Sequence, residues 1–60
     1  TQSFIQKFGM YELARAWMIA GEVVKCKYWI QKAIDRRGDD KARAILDLDF
    51  LPIKKFIKSL

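Results

Sequence analysis

Histidine is absent from the chain, and cysteine and proline each occur once in its 60 residues. A single thiol cannot close an internal disulfide, and without histidine Cys26 lacks the usual activator of a nucleophilic cysteine. No stretch of the sequence has the spacing of metal ligands or of a phosphate-binding loop. We therefore expect no metal, no cofactor, no small-molecule substrate and no enzymatic activity, and we assign Cys26 to the core.

Long apolar runs are also missing. The longest, residues 16–20, is far shorter than the roughly 20 residues that a membrane-spanning helix needs, and no apolar run follows a basic start as in a secretory signal. A lone thiol favours the cytoplasm or another reducing intracellular compartment. Because the chain begins with Thr1 and not with Met, we also expect it to be processed or cut from a longer protein.

Glycine is scarce, and its three positions together with Pro52 divide the chain into helical segments without the alternation typical of strands. The first helix is predicted over residues 6–20, with Gly9 separating an N-terminal turn from it because glycine costs about 1 kcal/mol inside a helix. Gly21 follows the last apolar position, where the end of a helix commonly requires a left-handed backbone conformation. The pattern therefore predicts a helical hairpin that turns at Gly21.

The second helix carries the clearest apolar stripe, with steps of three and four residues along one face. It is predicted to end at Gly38, after two arginines that suit the negative end of its dipole. Asp39 and Asp40 then begin a short helix to about residue 47, and Pro52 opens a last helix. The predicted fold is all-α, an antiparallel helical hairpin followed by two short helices in a single domain of residues 1–60. The stripe consists of Val23, Cys26, Ile30, Ala33 and Ile34.

The hairpin also contains a recognisable motif. A leucine is followed by an aromatic residue and then by the turn glycine, and small residues stand where two packed helices approach one another. These residues are Leu13, Trp17, Gly21, Cys26 and Ala33. Their spacing resembles the tetratricopeptide repeat, a helix–turn–helix unit of about 34 residues, over residues 7–40. Residues 41–60 are similar to the closing segment of some bacterial proteins of that class, which implies a C-terminal cap.

The motif departs from the repeat family at several positions. Ala14 stands where the family has glycine, Ile30 replaces an aromatic residue, and Gly38 falls where a proline usually ends the second helix. The substitutions conserve size or the ability to stop a helix. We therefore expect the two helices to be held together by Leu13, Trp17, Cys26, Ile30 and Ala33.

One repeat with a cap leaves apolar residues without a partner, because repeats of this kind normally stack in threes or more. The resemblance implies that a strip of the first helix lines a groove for peptide ligands; the alternative is that the last helix or another subunit covers the strip. We therefore expect a protein–protein interaction or scaffolding module of a larger protein or assembly, binding a partner helix or peptide, or self-associating, through apolar surface. The strip consists of Phe8, Tyr11, Arg15, Met18 and Ile19.

The charge balance supports a second class of function. Twelve Lys and Arg residues against seven Asp and Glu residues give a formal charge of +5, which attracts polyanions without specificity. Lys25, Lys27, Tyr28 and Trp29 form a basic and aromatic cluster able to contact phosphates and stack on bases. The alternative prediction is therefore a basic nucleic-acid-binding domain. A membrane-active cationic peptide is the least favoured reading, because the basic helix over residues 52–60 is short for lying on a membrane.

Overall fold

The computed structural model describes the backbone of residues 2–60 and the side chains of residues 9–60. Within these limits the chain is all-helical and has no strand. The helices are α1 (Gln2–Ile19), α2 (Val23–Arg36), α3 (Asp39–Leu46), a 3-10 helix (Leu48–Ile53) and α4 (Lys54–Lys58). The predicted fold class is confirmed: α1 and α2 form an antiparallel hairpin, and short helices follow it.

The first helix is bent at Gly9. This residue has φ 69° and ψ 176°, so its backbone is not helical although the chain is helical on both sides. A side chain disfavours a positive φ, which is why glycine occupies this position. The predicted separation at Gly9 is confirmed, but α1 begins at Gln2 and thus earlier than the predicted residue 6.

The turn of the hairpin is formed at Gly21, as predicted. Gly21 has φ 84°, its N–H donates to the carbonyl of Met18 (3.0 Å), and the N–H of Glu22 donates to the carbonyl of Trp17 (2.9 Å). These two hydrogen bonds are those of the Schellman motif, which satisfies carbonyl groups at the end of a helix. The chain reverses direction within three residues, and α2 begins at Val23.

The end of α2 differs from the prediction. Gly38 has helical torsion angles, φ −55° and ψ −30°, and precedes the first residue of α3. The break occurs one residue earlier, where Arg37 is extended (φ −138°, ψ 101°) while its N–H still donates to the carbonyl of Ala33. Gly38 therefore does not end α2 as predicted: the helix ends at Arg36, because the extended Arg37 already redirects the chain.

The core lies where the C-terminal segment packs on the hairpin. From α2 it contains Cys26, Ile30 and Ala33, as predicted, but Leu13 and Trp17 of α1 are only half-buried. Tyr11 and Ala14 are buried instead, so α1 is rotated about its axis relative to the predicted contact. The remaining buried apolar residues come from α3, the 3-10 helix and α4: Ala44, Phe50, Ile53 and Ile57.

The 3-10 helix presents two different sides because its repeat is close to three residues per turn. Phe50 and Ile53, three residues apart, point into the core, while Leu48 and Leu51, also three apart, are exposed. Asp47 precedes this helix, and its Oδ1 accepts the N–H of Asp49 (3.0 Å). Pro52 lies inside the 3-10 helix, and the last α-helix starts at Lys54 rather than at the proline as predicted.

The two sides of the 3-10 helix should differ sharply in their effect on stability. Phe50→Ala should lower the free energy of unfolding by about 3–5 kcal/mol through the cavity it leaves, which approaches the whole stability expected of so small a core. Leu51, the next residue in the chain, provides a matched control. Leu51→Ala should change the free energy of unfolding by about 0.5 kcal/mol or less. Urea denaturation followed by circular dichroism measures both. Similar losses in the two variants would show that the assigned sides are wrong.

Candidate functional site

Tyr11, expected on an exposed binding strip of α1, is a core residue. It is 3% exposed, its hydroxyl donates to Oδ2 of Asp47 (2.8 Å), and its ring meets that of Phe50 edge-on, with centroids 5.4 Å apart. Burial, reinforced by the hydrogen bond to Asp47, raises the pKa of Tyr11 above its ordinary value. The C-terminal segment covers this residue, so the expectation of an exposed Tyr11 is corrected.

The rest of the predicted strip is divided between covered and free positions. The Nε of Arg15 lies 2.6 Å from Oδ2 of Asp49, and this hydrogen bond raises the pKa of the guanidinium group. Met18 is half-buried against the core, whereas Ile19 is 69% exposed. The side chain of Phe8 lies outside the described residues. Among the described members, the strip is not a continuous open groove, because the chain's own 3-10 segment lies on it.

The four residues of the predicted nucleic-acid cluster do not form one exposed surface. Tyr28 is 55% exposed, while Trp29 is half-buried and meets Tyr28 edge-on at 5.3 Å. The Lys25 Nζ lies 4.4 Å from the centroid of the Trp17 ring. Lys27 is half-buried, and its Nζ lies 5.0 Å from the centroid of the Phe56 ring of α4. Only Lys25 and Tyr28 of the four are exposed.

The most exposed apolar surface lies on the C-terminal segment. We call Leu46, Leu48 and Leu51 the leucine patch; their exposed fractions are 83%, 82% and 60%. A second group of exposed apolar residues, Ile19 and Val24, flanks the turn of the hairpin. The sequence analysis did not predict the leucine patch. Two three-residue spacings in the 3-10 helix indicated it: Phe50 and Ile53 point inward, and Leu48 and Leu51 point outward.

A polar cleft lies between α1, α2 and α3. Its volume is about 310 Å³, and arginines from two helices and the segment between them line it together with two acidic residues. The Cζ of Arg43 lies 3.9 Å from the centroid of the Tyr11 ring, and its Nη2 lies 3.4 Å from Oε2 of Glu12. We call this cleft between α1, α2 and α3 the arginine cleft. Its charged residues are Glu12, Arg36, Arg37, Asp40 and Arg43.

The arginine cleft was not predicted, because its members come from distant parts of the sequence and no local spacing connects them. Among the described residues, neither Arg36 nor Arg37 has a carboxylate within ion-pair distance. Exposed surface pairs such as that of Arg43 with Glu12 typically contribute about 1 kcal/mol or less. The cleft therefore combines one oriented guanidinium group with two that are available to an anion.

Cys26 has the properties of a core thiol. It is fully buried, and burial raises its pKa to about 11 from its ordinary value of 9.0. A thiol that remains protonated at neutral pH is a poor nucleophile. In the described part of the chain, no three Cys, Asp or Glu side chains are grouped so that they could hold a metal ion.

Comparison with known proteins identifies no relative: no family model, no curated protein and no solved structure matches the chain at a significant level. The likeness to a tetratricopeptide repeat therefore stays a prediction. None of the described helices combines the length and the apolar character that crossing a membrane requires.

The hydrogen bond between Tyr11 and Asp47 should contribute measurably to stability. Tyr11→Phe keeps the ring and removes the donor, so it should lower the free energy of unfolding by about 1–2 kcal/mol. Tyr28→Phe removes an exposed hydroxyl from the same chain and should have an effect within about 0.5 kcal/mol. Thermal and urea denaturation of the two variants provide the comparison. Equal effects would show that the buried hydroxyl makes no net contribution.

The raised pKa of Cys26 predicts a loss of stability at alkaline pH. Above about pH 9 the unfolded chain releases the thiol proton while the folded chain retains it, so the free energy of unfolding falls as the pH approaches 11. The part due to Cys26 should reach about 2 kcal/mol at pH 11. The raised pKa of Tyr11 acts in the same direction.

The control for this alkaline effect is Cys26→Ala, which removes the thiol. Urea denaturation at neutral pH and at about pH 11 should show a smaller drop in stability for this variant than for the wild type. An identical drop in both proteins would show that Cys26 does not titrate differently in the folded and unfolded states.

Proposed function

We propose that this chain is a non-catalytic protein–protein interaction or scaffolding module of a larger protein or assembly. The observation that carries the proposal is the leucine patch, where three leucines within six residues are largely exposed. Burying one such side chain stabilises a protein by about 1.5–3 kcal/mol, so the patch offers a partner substantial apolar surface. The partner is a helix or peptide of another protein, or a second copy of this chain.

The packing of the hairpin supports the further proposal that residues 7–40 form one tetratricopeptide-like repeat. Cys26 and Ala33, the two small packing residues of the motif, are buried, and so is Ala14, which stands where the family has glycine. Small residues at these positions allow close approach of two helices, which is their role in the repeat family that the sequence resembles. In this proposal residues 41–60 act as the C-terminal cap, and a reducing intracellular compartment suits the buried free thiol.

The proposed contact surface differs from the strip first expected on α1. Phe50 and the aspartates on either side of Leu48 contact residues of that strip. Leu48 and Leu51 lie on the outer side of the 3-10 helix. A partner would therefore contact the C-terminal segment. Ile19, at the far end of the strip, is exposed beside the turn of the hairpin and is not part of the leucine patch.

The test compares the wild type with the triple variant Leu46→Gln/Leu48→Gln/Leu51→Gln, which removes the patch without changing the core. Ile19→Gln/Val24→Gln, at the turn of the hairpin, is the control. Sedimentation equilibrium at micromolar concentration measures self-association, and affinity capture followed by mass spectrometry identifies other partners. The wild type and the control should share a dimer or a partner that the triple variant loses. A complex that the triple variant retains would contradict the proposal, as would a wild type that forms none.

The second candidate function is nucleic-acid binding, and the exposed Tyr28 favours it. Lys32 Nζ lies 4.9 Å from the centroid of the Tyr28 ring, and Lys25 is exposed three residues before Tyr28, on the same face of α2. A base stacked on this ring would lie close to the Lys32 cation. Because Trp29 and Lys27 are half-buried, this surface is smaller than the four-residue cluster expected from the sequence.

A salt titration with a fluorescent single-stranded oligonucleotide tests this second function. Phosphate contacts release counterions, so the affinity should fall steeply as the salt concentration rises. Tyr28→Ala should weaken binding, with stacking contributing about 1–3 kcal/mol per base, whereas Tyr28→Phe should preserve it. Affinity that is unaffected by Tyr28→Ala would contradict a stacking role.

A further inference from the structure

We propose that the arginine cleft is a binding site for a phosphate group, most suitably the dianion of a phosphate monoester. None of the three leucines of the leucine patch lines this site, and the proposal does not depend on the proposed protein contact. It is lined by Arg36 at the end of α2, by Arg37 in the connection to α3, and by Arg43 of α3.

The number of arginines that line the cleft favours phosphate over carboxylate. A carboxylate has two oxygens and is matched by one bidentate arginine, whereas a phosphate monoester presents three terminal oxygens to several donors. Arg36 and Arg37 lack a carboxylate partner among the described residues. Arg43 is held in place by the ring of Tyr11 and by Glu12.

Two acidic residues in the lining reduce the positive charge of the cleft but do not cancel it. Glu12 is engaged with Arg43, and Asp40 is half-buried at the edge of the cleft. The three positive charges exceed these two negative charges, and the formal charge of the whole chain is +5. A dianion benefits about twice as much as a monoanion from this residual positive potential, because the interaction energy is proportional to the charge of the ligand.

The cleft also has room for an organic group attached to the phosphate. Met10 and Ala33 contribute apolar atoms to its wall, and Gly9 leaves its rim without a side chain. A Cβ at Gly9 would lie 3.0 Å from Oε1 of Glu12, and the positive φ there disfavours any other residue. The volume of about 310 Å³ falls at the lower end of the range for small-ligand pockets, which suits a phosphorylated side chain or a small phosphorylated metabolite.

The first experiment titrates the ¹⁵N-labelled protein with inorganic phosphate, O-phosphoserine and glutarate at constant ionic strength. Phosphate and O-phosphoserine should shift the backbone and arginine Nε–H resonances of residues 9–12, 36, 37, 40 and 43, while glutarate should bind more weakly. Tighter binding of O-phosphoserine would identify the ligand as a phosphate monoester, and equal binding would identify free phosphate. Glutarate binding as tightly as phosphate would overturn the proposal.

The second experiment separates the cleft from the general charge of the protein. Arg36→Gln/Arg37→Gln should reduce the affinity for phosphate about tenfold or more, because it removes two charged hydrogen-bond donors from the lining of the cleft. Lys55→Gln/Lys58→Gln removes the same charge from exposed positions on α4 and should leave the affinity within about twofold. Equal losses in the two double variants would overturn the proposal.

Asp40→Asn should change the affinity for phosphate in the opposite direction, and a destabilised fold would not produce such an increase. Removing this carboxylate should raise the affinity for phosphate, since it removes a repulsion at the edge of the cleft. Circular dichroism of each variant confirms that the helices are retained. An affinity for phosphate that Asp40→Asn leaves unchanged or lowers would contradict the assigned position of the ligand.

Discussion

The carboxylate of Asp47 connects the C-terminal segment of the chain to the hairpin. One of its oxygens accepts the N–H of Asp49 and so fixes the first turn of the 3-10 helix, while the other accepts the hydroxyl of Tyr11 on α1. A domain of this length buries only about 60% of the surface that its unfolded chain exposes, and it has no disulfide to assist it. The stability of the domain therefore depends strongly on the packing of Phe50 against Tyr11. Asp47 contributes to this packing because it orients both residues.

The hairpin could be predicted because its determinants are local. Cys26, Ile30 and Ala33 lie on one face of α2 at helical spacing, and Gly21 provides the positive φ that the turn requires. The prediction was less successful for α1, where Tyr11 is buried and Trp17 only half-buried. Several apolar residues lie on each side of that helix, so local periodicity does not decide which side faces inward. That choice depends on where the C-terminal segment packs, which is a tertiary effect.

The candidate sites were less predictable than the fold for the same reason. The arginine cleft brings together Glu12, the end of α2 and Arg43, which are distant in the sequence. Composition indicated a basic surface, but it could not show that Arg43 stacks on Tyr11 or that Arg36 and Arg37 open onto the same cleft. By contrast, of the four basic and aromatic residues that are nearly adjacent in α2, only Lys25 and Tyr28 share an exposed face, because neighbouring helical residues point about 100° apart. Adjacency in the sequence was therefore a poor guide to a shared surface.

The covering of the α1 strip and the exposure of the leucine patch have one cause. The 3-10 helix inserts Phe50 and Ile53 into the core, and its three-residue repeat then directs Leu48 and Leu51 away from it. In a 3-10 helix the two members of each pair lie directly above one another along the axis, whereas in an α-helix they would be about 60° apart around it. The same segment that closes the groove of the hairpin thus creates a new apolar surface on its outer side. In the function that we propose, the C-terminal segment, rather than the inner strip of the first helix, contacts a neighbour.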